Sequence, residues 1–272
     1  MTEQRVALVT GASSGIGATT AKHLAKAGFL VYAAARRTDR LEELRRARIR
    51  PLSMDVTDDD SMTAGVRQVL GDAGRIDALV NNAGYGSYGA IEDVPLDEAR
   101  RQFDVNLFGM ARLTQLVLPG MRERGSGRVV NVSSMGGRFA GPFGGWYHAT
   151  KFAVEGFSDA LRQELAPFGV QVVVIEPGGI RTEWGGIAAD SALQQSGEGA
   201  YGPRVQRVVS ALSGSERFGS QPSVVARAIT RAVTAKRPRT RYAIGAGAKP
   251  VIIARRLLPD RAMDAVLARA LS

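Results

Sequence analysis

Short apolar runs of strand length alternate with helical stretches along most of the chain. The first four runs cover residues 5–10, 29–35, 49–54 and 76–80, and each is followed by a connection and a helical pattern. Apolar strands that alternate with helices form a parallel sheet, because the crossover helices cover both of its faces. Further runs at 128–133, 170–175 and 240–244 continue the pattern. The sequence therefore predicts an α/β, doubly wound fold with seven parallel strands and a ligand site at their carboxyl ends.

A glycine-rich turn joins the first strand to the first helix. Gly11, Gly15 and Gly17 have the spacing G-x-x-x-G-x-G, and a helical pattern over residues 18–27 begins directly after them. Such a turn lets backbone N–H groups approach a phosphate closely, with the positive end of the helix dipole behind them. Glycines also serve as plain turn residues, but the flanking strand and helix favour a nucleotide-binding turn.

Two arginines follow the second strand. A carboxylate at this point would bond the 2′-hydroxyl of an adenosine ribose and select NAD, whereas this chain has Ala35, Arg36 and Arg37. Guanidinium groups suit a 2′-phosphate instead, so we predict a preference for NADP(H). The alternative is that both arginines only begin a solvated helix over residues 39–44. Which of the two would bind the phosphate stays open.

Tyr147 and Lys151 are candidate catalytic residues. They are four residues apart and so share one face of a helix, one turn from each other. A phenol has a pKa of about 10, and a neighbouring cation lowers such a value by roughly one to three units, toward the range of general acid–base chemistry. Ser134 ends the fifth strand and offers a hydroxyl to hold a carbonyl or alcohol oxygen against that phenol. Alone, the pair also fits an ordinary helix start with incidental polar residues.

Other strands of the predicted sheet also end in polar or glycine-rich segments. Asp55 follows the third strand, Asn82 the fourth and Pro177 the sixth. Asn106 lies inside a long helical stretch over residues 96–125, where asparagine is mildly unfavourable. Such a residue either faces water or has a specific role there.

Taken in order, these motifs resemble those of the short-chain dehydrogenase/reductase family. The resemblance covers residues 6–244 and implies a Rossmann fold and an oxidoreductase. The matching segments are Thr10-Gly11-x-x-x-Gly15-x-Gly17, Asp55, Asn81-Asn82-Ala83-Gly84, Asn106, Ser134, Tyr147-x-x-x-Lys151 and Pro177-Gly178-x-x-x-Thr182.

The resemblance implies a role for each matching residue. Tyr147 would be the general acid in reduction and the base in oxidation, and Ser134 would orient the substrate oxygen. Lys151 would bond the nicotinamide ribose and lower the pKa of Tyr147, while Asn106 would hold a water in a proton relay. The Ala35-Arg36-Arg37 segment resembles that of NADP(H)-preferring members. The implied cofactor-binding residues are Gly11, Ser13, Ser14, Gly15, Ile16, Gly17, Arg36, Arg37, Asp55, Val56, Asn82, Ala83, Gly84, Tyr147, Lys151, Pro177, Gly178, Ile180 and Thr182.

Two features depart from a minimal family member. His148 directly follows Tyr147, where it could act as a second titratable group near the site; because neighbouring helix residues point apart, we expect it at the surface instead. The second feature is a basic extension over residues 245–272. From residue 223 onward, 11 Lys and Arg stand against 2 Asp and Glu, whereas the rest of the chain has 25 against 24. With the segment 176–182, this extension resembles the branch of 17β-hydroxysteroid-dehydrogenase-like oxidoreductases.

Three interpretations of the extension stay open. Its helices, interrupted at Pro259, would close an apolar pocket, bind an acidic carrier or partner, or lie on an anionic membrane surface. Nucleic-acid binding is not expected, since no such motif is present.

Residues 183–221 have a weak pattern rich in Gly, Ser and Ala, which we interpret as a substrate lid or mobile loop.

Composition excludes several classes of site. The chain has no cysteine and two histidines, which excludes disulfides, thiolate chemistry and a Cys/His zinc site, and we expect no metal. No signal peptide or run of 18 apolar residues is visible, so a cytoplasmic protein without a transmembrane segment is expected.

We predict one domain over residues 1–272, with a core at 5–244. The family resemblance implies a homodimer or homotetramer that pairs through the Asn106 and Tyr147 helices.

These expectations together predict an NADP(H)-dependent oxidoreductase acting on a small carbonyl or alcohol. An apolar or aromatic substrate is suggested by Tyr85, Tyr88, Phe143, Trp146 and Trp184, each of which also fits the core. Two alternatives are a 3-oxoacyl thioester reductase, whose acidic acyl carrier would meet the basic patch, and a non-catalytic NADPH sensor. The intact set of Ser134, Tyr147 and Lys151 argues against the sensor.

Overall fold

The computed structural model describes residues 4–45 and 48–270. Its centre is a sheet of seven parallel strands in the order β3-β2-β1-β4-β5-β6-β7, which confirms the predicted doubly wound architecture. The order reverses between β1 and β4, so a crevice opens there at the carboxyl edge. The strands are β1 Val6–Thr10, β2 Leu30–Ala35, β3 Ile49–Ser53, β4 Ala78–Asn81, β5 Gly127–Val132, β6 Val170–Pro177 and β7 Arg241–Ile244.

Helices cover both faces of this sheet. They are α1 Gly15–Lys26, α2 Thr38–Glu42, α3 Asp59–Ala73, α4 Leu96–Phe103, α5 Gly109–Glu123, α6 Gly145–Leu165, α7 Trp184–Ser196, α8 Gly202–Phe218, α9 Pro222–Thr234, α10 Ala248–Leu257 and α11 Asp260–Ala270. Because side chains alternate along a strand, Ala7 and Val9 of β1 pack with α1, α2 and α9, whereas Val6 and Leu8 pack with α3, α5 and α6. The two cores explain why the central strands β1 and β4 are buried along their whole length.

The long helix predicted over residues 96–125 is interrupted. A π-helical turn, Asp104–Phe108, separates α4 from α5 and contains Asn106. At its end the helix passes very close to the loop after β3, since a Cβ atom added at Gly109 would lie 2.1 Å from the backbone oxygen of Val56. π-Helical turns occur often at functional sites, which gives the asparagine a structural context.

Residues 183–221 contain two helices, so the expectation of an irregular loop is wrong, whereas their place at the cavity agrees with the predicted lid. Ala188 and Ala192 of α7 are fully buried, four residues apart, and pack with Val205 and Val208 of α8. Small side chains allow this close packing, but they give a weak hydrophobic pattern in the sequence. The two helices cover the cavity described below.

The basic extension forms α10 and α11, with the break at Pro259 as predicted. Met263 of α11 is buried, and Leu267 reaches the wall of the cavity. These contacts agree with the interpretation in which the extension closes an apolar pocket. Leu271 and Ser272, which the prediction also assigned to the extension, lie outside the described residues.

Within the described ranges, no helix is both long and apolar enough to cross a membrane.

Candidate active site

A cavity of about 840 Å³ opens at the carboxyl edge of the sheet. It is lined by the segments that follow β1, β2, β3, β4, β5 and β6, and by residues of α6, α7, α8 and α11. Two residues predicted to belong to the site do not line it: Gly17 and Asn106 lie behind its wall. The predicted residues that do line it are Gly11, Ser13, Ser14, Gly15, Ile16, Arg36, Arg37, Asp55, Val56, Asn82, Ala83, Gly84, Ser134, Tyr147, Lys151, Pro177, Gly178, Ile180 and Thr182.

The glycine turn has a shape that only glycine allows. Gly11 and Gly15 have φ values of +63° and +53°, in the left-handed region. A Cβ atom added at Gly17 would lie 2.3 Å from the backbone oxygen of Gly11, and one at Gly15 would lie 3.0 Å from Cγ2 of Thr182. The turn is therefore tightly folded, and the loop after β6 closes against it. A backbone surface of this kind at the start of α1 fits the diphosphate of a dinucleotide.

Asn82 braces this turn from the neighbouring strand. Its amide nitrogen donates to the backbone oxygens of Thr10 and Gly11, at 3.0 and 3.2 Å. Its backbone N–H donates to the hydroxyl of Thr10 at 3.0 Å. Thr10 thus ties β1 to the loop after β4, a role that the sequence did not reveal.

Arg37 is the arginine that folds back over the glycine turn. Its Nη2 atom lies 3.1 Å from the hydroxyl of Ser13 and 3.4 Å from that of Ser14. Arg36 stays solvent-exposed and lies 3.9 Å from a carboxylate oxygen of Asp55. A third arginine, Arg40, was missed by the sequence analysis; it bonds Glu183 at 2.7 Å.

Tyr147 and Lys151 project from α6 as predicted. The phenol of Tyr147 is buried and hydrogen-bonded to the side chain of Ser134. The ammonium group of Lys151 donates to the backbone oxygen of Val132 at 3.1 Å and lies 5.9 Å from the centre of the Tyr147 ring. The structure thus brings the phenol, the hydroxyl and the ammonium group together at one end of the cavity.

Burial dominates the electrostatics of this pair. It raises the pKa of Tyr147 to about 12, against a smaller lowering by the bond from Ser134. It also lowers the pKa of Lys151 to about 8, although the charge of Glu155 raises that pKa. The lowering of the Tyr147 pKa by Lys151 therefore stays a prediction, since burial dominates this pKa. The free energy needed to move a phenolate out of water exceeds the stabilisation that the charge of the ammonium group contributes at this distance.

Asn106 is 2% exposed, which excludes the alternative that it faces water. Its side chain bonds the backbone N–H and oxygen of Tyr85, at 3.0 and 2.9 Å, and the hydroxyl of Thr150 at 3.1 Å. A Cβ atom added at Gly84 would lie 3.0 Å from the oxygen of Asn106 and 3.6 Å from the nitrogen of Lys151. Asn106 therefore anchors the π-helical turn behind Lys151.

His148 is buried, so its predicted surface position is wrong. Its Nδ1 atom lies 2.9 Å from the backbone oxygen of Gly136, and its Nε2 atom accepts the N–H of Gly141 at 3.1 Å. The loop between β5 and α6 folds over the side of α6 that the helical spacing assigned to solvent. Both ring nitrogens are used, which requires the neutral ring with its proton on Nδ1.

Acidification is expected to destabilise the wild-type protein more steeply than a His148→Gln variant. Burial lowers the pKa of His148 below its usual value of 6.5. Between pH 6.5 and the lower folded-state pKa, the unfolded chain binds a proton at His148 and the folded chain does not. The stability present above pH 6.5 is therefore lost as the pH falls through the folded-state pKa. Urea unfolding between about pH 5 and pH 8 measures this difference. Equal slopes for the two proteins would contradict it.

A buried charge cluster lies behind α6. Glu155, one turn beyond Lys151, accepts from Arg241 at 3.0 Å and lies 3.7 Å from Arg138. Glu176, directly before Pro177, lies 3.6 Å from each of these arginines. Burial, followed by the charge of Glu155, raises the pKa of Glu176 to about 7. The sequence analysis missed this cluster, although the spacing of Tyr147, Lys151 and Glu155 at i, i+4 and i+8 was a signal.

The comparisons with known proteins agree with this geometry. Residues 5–190 match the family model of the short chain dehydrogenases. The chain is 36% identical over 243 residues to a 3-ketodihydrosphingosine reductase of Bacteroides thetaiotaomicron, covering 89% of this chain and 88% of the relative. It is 37% identical over 274 residues to an NADPH-dependent 3-dehydrocapnine reductase of Ornithobacterium rhinotracheale, covering 96% and 95%.

A solved structure is similar over nearly the whole length. The crystal structure of a short-chain dehydrogenase from Streptomyces avermitilis superposes with a TM-score of 0.81 at 37% identity, covering 99% of this chain and 97% of that one. The matches confirm the family that the motifs indicated and agree with its hydroxysteroid-dehydrogenase-like branch. The chain belongs to the short-chain dehydrogenase/reductase family of oxidoreductases.

Proposed function

We propose that this protein is an NADP(H)-dependent oxidoreductase that interconverts a carbonyl group and a secondary alcohol on an apolar small molecule. One observation carries the proposal. The buried phenol of Tyr147 is hydrogen-bonded to Ser134 in the same cavity that the glycine turn lines. A proton donor and a dinucleotide-binding surface thus meet in one space, which is what hydride transfer to a carbonyl requires.

The residues of the cavity divide into three binding regions for the cofactor. The turn at Gly11–Gly17 would hold the diphosphate, with Arg37 beside it for a 2′-phosphate. Asp55 and Val56 would frame the adenine, and the loop after Pro177 would hold the nicotinamide end. The cofactor would supply the hydride in reduction and accept it in oxidation, while the protein orients the reactants and gives or takes up the proton accordingly.

Tyr147 would transfer the proton while Ser134 holds the substrate oxygen. Because burial raises the pKa of Tyr147 to about 12, the phenol carries its proton at neutral pH. It can therefore donate that proton to the oxygen of a carbonyl group as the group becomes an alcohol. The reverse reaction needs the phenolate, which is scarce at neutral pH while the pKa is this high.

Lys151 would support this proton transfer with its charge. With a pKa of about 8, it is mostly protonated at neutral pH, and Glu155 helps to keep it so. Asn106 would act through the backbone, since both of its amide protons are donated to Tyr85 and Thr150 and its oxygen accepts the N–H of Tyr85.

The substrate region of the cavity is apolar. Beyond Tyr147 its wall is formed by aromatic and aliphatic side chains from the loop before α6, the two helices of residues 183–221, and α11. These residues are Phe139, Pro142, Trp184, Ile187, Val208, Leu212 and Leu267. A neutral substrate with a hydrocarbon portion would bury that portion here. The printed names of the two relatives, both reductases and one NADPH-dependent, support the proposed direction and cofactor.

Exposed aromatic residues support the association of two copies of the chain. Phe108, at the end of the π-helical turn, is 58% exposed and Phe152 on α6 is 46% exposed. Both lie on the helices that the family resemblance places at a two-fold interface.

Replacing Arg37 with Ala is expected to weaken NADPH binding by roughly tenfold or more, because a hydrogen bond to a charged group is worth about 1.5–3 kcal/mol. NADH binding should change little, since NADH lacks the 2′-phosphate. Titration calorimetry with both cofactors measures the difference. Arg45→Ala, which removes an arginine paired with Glu42 on the outer side of α2, is the matched control. An equal loss for both cofactors would contradict the assignment.

Consumption of NADPH with a panel of ketones tests the proposed activity directly. Turnover of neutral apolar ketones is the expected result, and it should be insensitive to salt. A rate confined to 3-oxoacyl thioesters on an acidic carrier, with a KM that rises steeply with salt, would favour the thioester reductase instead. Tight NADPH binding without turnover of any carbonyl would favour the sensor.

A further inference from the structure

The phenol of Tyr88 is a buried polar group in the cavity that the proposed mechanism does not use. Tyr88 lines the cavity and is only 7% exposed. Its backbone is held on both sides by Ser191, whose hydroxyl accepts the N–H of Tyr88 at 3.1 Å and donates to its backbone oxygen, also at 3.1 Å. The residue is therefore positioned by α7 rather than by a flexible loop.

The ring of Tyr88 is also fixed in orientation. A Cβ atom added at Gly144 would lie 2.7 Å from its Cε1 atom, and one at Gly86 would lie 3.2 Å from its Cε2 atom. The ring is thus held between two glycine backbones, with the centres of Tyr147 and Trp184 at 5.7 and 5.9 Å. Larger residues at either glycine would displace the ring, so its place beside Tyr147 is a built feature of the site.

The hydroxyl of Tyr88 has no hydrogen-bond partner among residues 4–45 and 48–270. Burial and the neighbouring phenol hold the pKa of Tyr88 well above its usual value of 10, so it is a neutral donor at any working pH. The hydroxyl is not sealed from solvent, because it lies in the wall of the cavity, so a ligand oxygen can take the place of water on this donor. Substrate is the natural partner for a donor that faces the cavity next to the proposed catalytic phenol.

We propose that Tyr88 donates a hydrogen bond to a second oxygen of the substrate, and that the preferred substrates are apolar ketones with a hydrogen-bond-accepting oxygen one or two carbons from the carbonyl. This inference rests on the proposed function, because Tyr147 and Ser134 must hold the carbonyl oxygen. The ring centres of Tyr88 and Tyr147 are 5.7 Å apart and both residues line the cavity, so a substrate with two nearby oxygens would bond both phenols. Hydroxy ketones and β-keto esters belong to this class, whereas simple alkyl ketones leave Tyr88 unpaired.

Matched ketones test the inference with the full chain and saturating NADPH. The probes are an alkyl methyl ketone, the hydroxymethyl ketone of the same chain length, and a β-keto ester of similar length. Wild-type protein is expected to have a kcat/KM roughly tenfold higher for the two oxygen-bearing ketones, because a site built to bond a polar group discriminates against analogues that lack it. Tyr88→Phe is expected to lose about this factor on those ketones and to stay within about twofold on the alkyl ketone.

The alkyl ketone separates this inference from the proposed function. Wild-type turnover of the alkyl ketone without any preference for a second oxygen would overturn the role of Tyr88 and leave the proposed function intact. An equal loss on all three ketones in Tyr88→Phe would overturn it too, by showing that Tyr88 only maintains the shape of the cavity. The absence of turnover on every ketone would count against both.

A second phenol at the cavity provides the control. Tyr85 also lines the cavity, but its hydroxyl already bonds a carboxylate oxygen of Glu98 at 2.9 Å. Tyr85→Phe is therefore expected to keep the ratio of kcat/KM values between the hydroxymethyl and alkyl ketones. A loss of that ratio in Tyr85→Phe as large as in Tyr88→Phe would contradict a specific role for Tyr88.

Discussion

Replacing Tyr147 with Phe is expected to lower kcat for ketone reduction by roughly 10²–10⁴-fold, the usual contribution of a positioned general acid. Phenylalanine keeps the ring, which is buried among Tyr88, Trp184 and His148, but it removes the group that gives the proton. The loss should appear in kcat more than in KM, because Ser134 still holds the substrate oxygen. Stopped-flow or steady-state consumption of NADPH measures it.

Cofactor binding serves as the control for this variant. The glycine turn and Arg37, which would hold the phosphates, are unchanged in this variant, so the affinity for NADPH should fall far less than kcat does. Ser134→Ala is expected to lose activity while retaining the proton donor, through a rise in KM together with a fall in kcat. Full turnover by Tyr147→Phe would show that another group gives the proton, and the proposed mechanism would be wrong.

Replacing Arg241 with Met is expected to destabilise the fold by about 3–5 kcal/mol, as is typical when one partner of a buried ion pair is removed. Arg241 bonds Glu155 at 3.0 Å and Asp159 at 2.7 Å, and it lies 3.6 Å from Glu176. Both glutamates are buried, so without the guanidinium two carboxylates share a space with Arg138 alone. Urea unfolding measures the change.

The pH dependence of this loss identifies its cause. The pKa of Glu176 is already raised to about 7, and removing Arg241 raises it further. A carboxyl group whose pKa is higher in the folded than in the unfolded state becomes protonated at a higher pH in the folded protein. Acidification therefore neutralises Glu176 and relieves its repulsion from Glu155. The destabilisation should therefore be greater at pH 8 than at pH 5. A pH-independent loss would point to lost packing of the arginine stem instead.

Asp159→Asn is the matched control for Arg241→Met. Asp159 bonds the same guanidinium but lies at the solvent-exposed end of the cluster, where it also pairs with Arg162. Removing its charge leaves Glu155 and Glu176 paired, so the cost should be about 1 kcal/mol or less, as for exposed ion pairs. A loss as large as that of Arg241→Met would mean that the exposed pair, rather than the buried one, stabilises the protein.

The helices of residues 183–221 and the environment of His148 show where inference from sequence fails. Helices α7 and α8 pack through alanines and valines, and small residues give too little contrast between buried and exposed faces to form a visible pattern. His148 follows Tyr147 on the helix, and the spacing correctly predicts that it points elsewhere. The spacing does not predict that the loop between β5 and α6 covers this side of the helix and bonds both ring nitrogens of His148.

The sequence by itself determined the parallel sheet, the glycine turn and the positions of Ser134, Tyr147 and Lys151, because these depend on strand periodicity, backbone freedom and helical spacing, which are local properties. Only the tertiary structure decided which groups are removed from water. Burial raises the pKa of Tyr147 to about 12 and lowers that of Lys151 to about 8. The packing of α8 and α11 closes the apolar wall of the cavity, and the phenol of Tyr88 lines the same cavity without a hydrogen-bond partner among the described residues. Desolvation depends on every element packed around a site, and for that reason no short motif contains it.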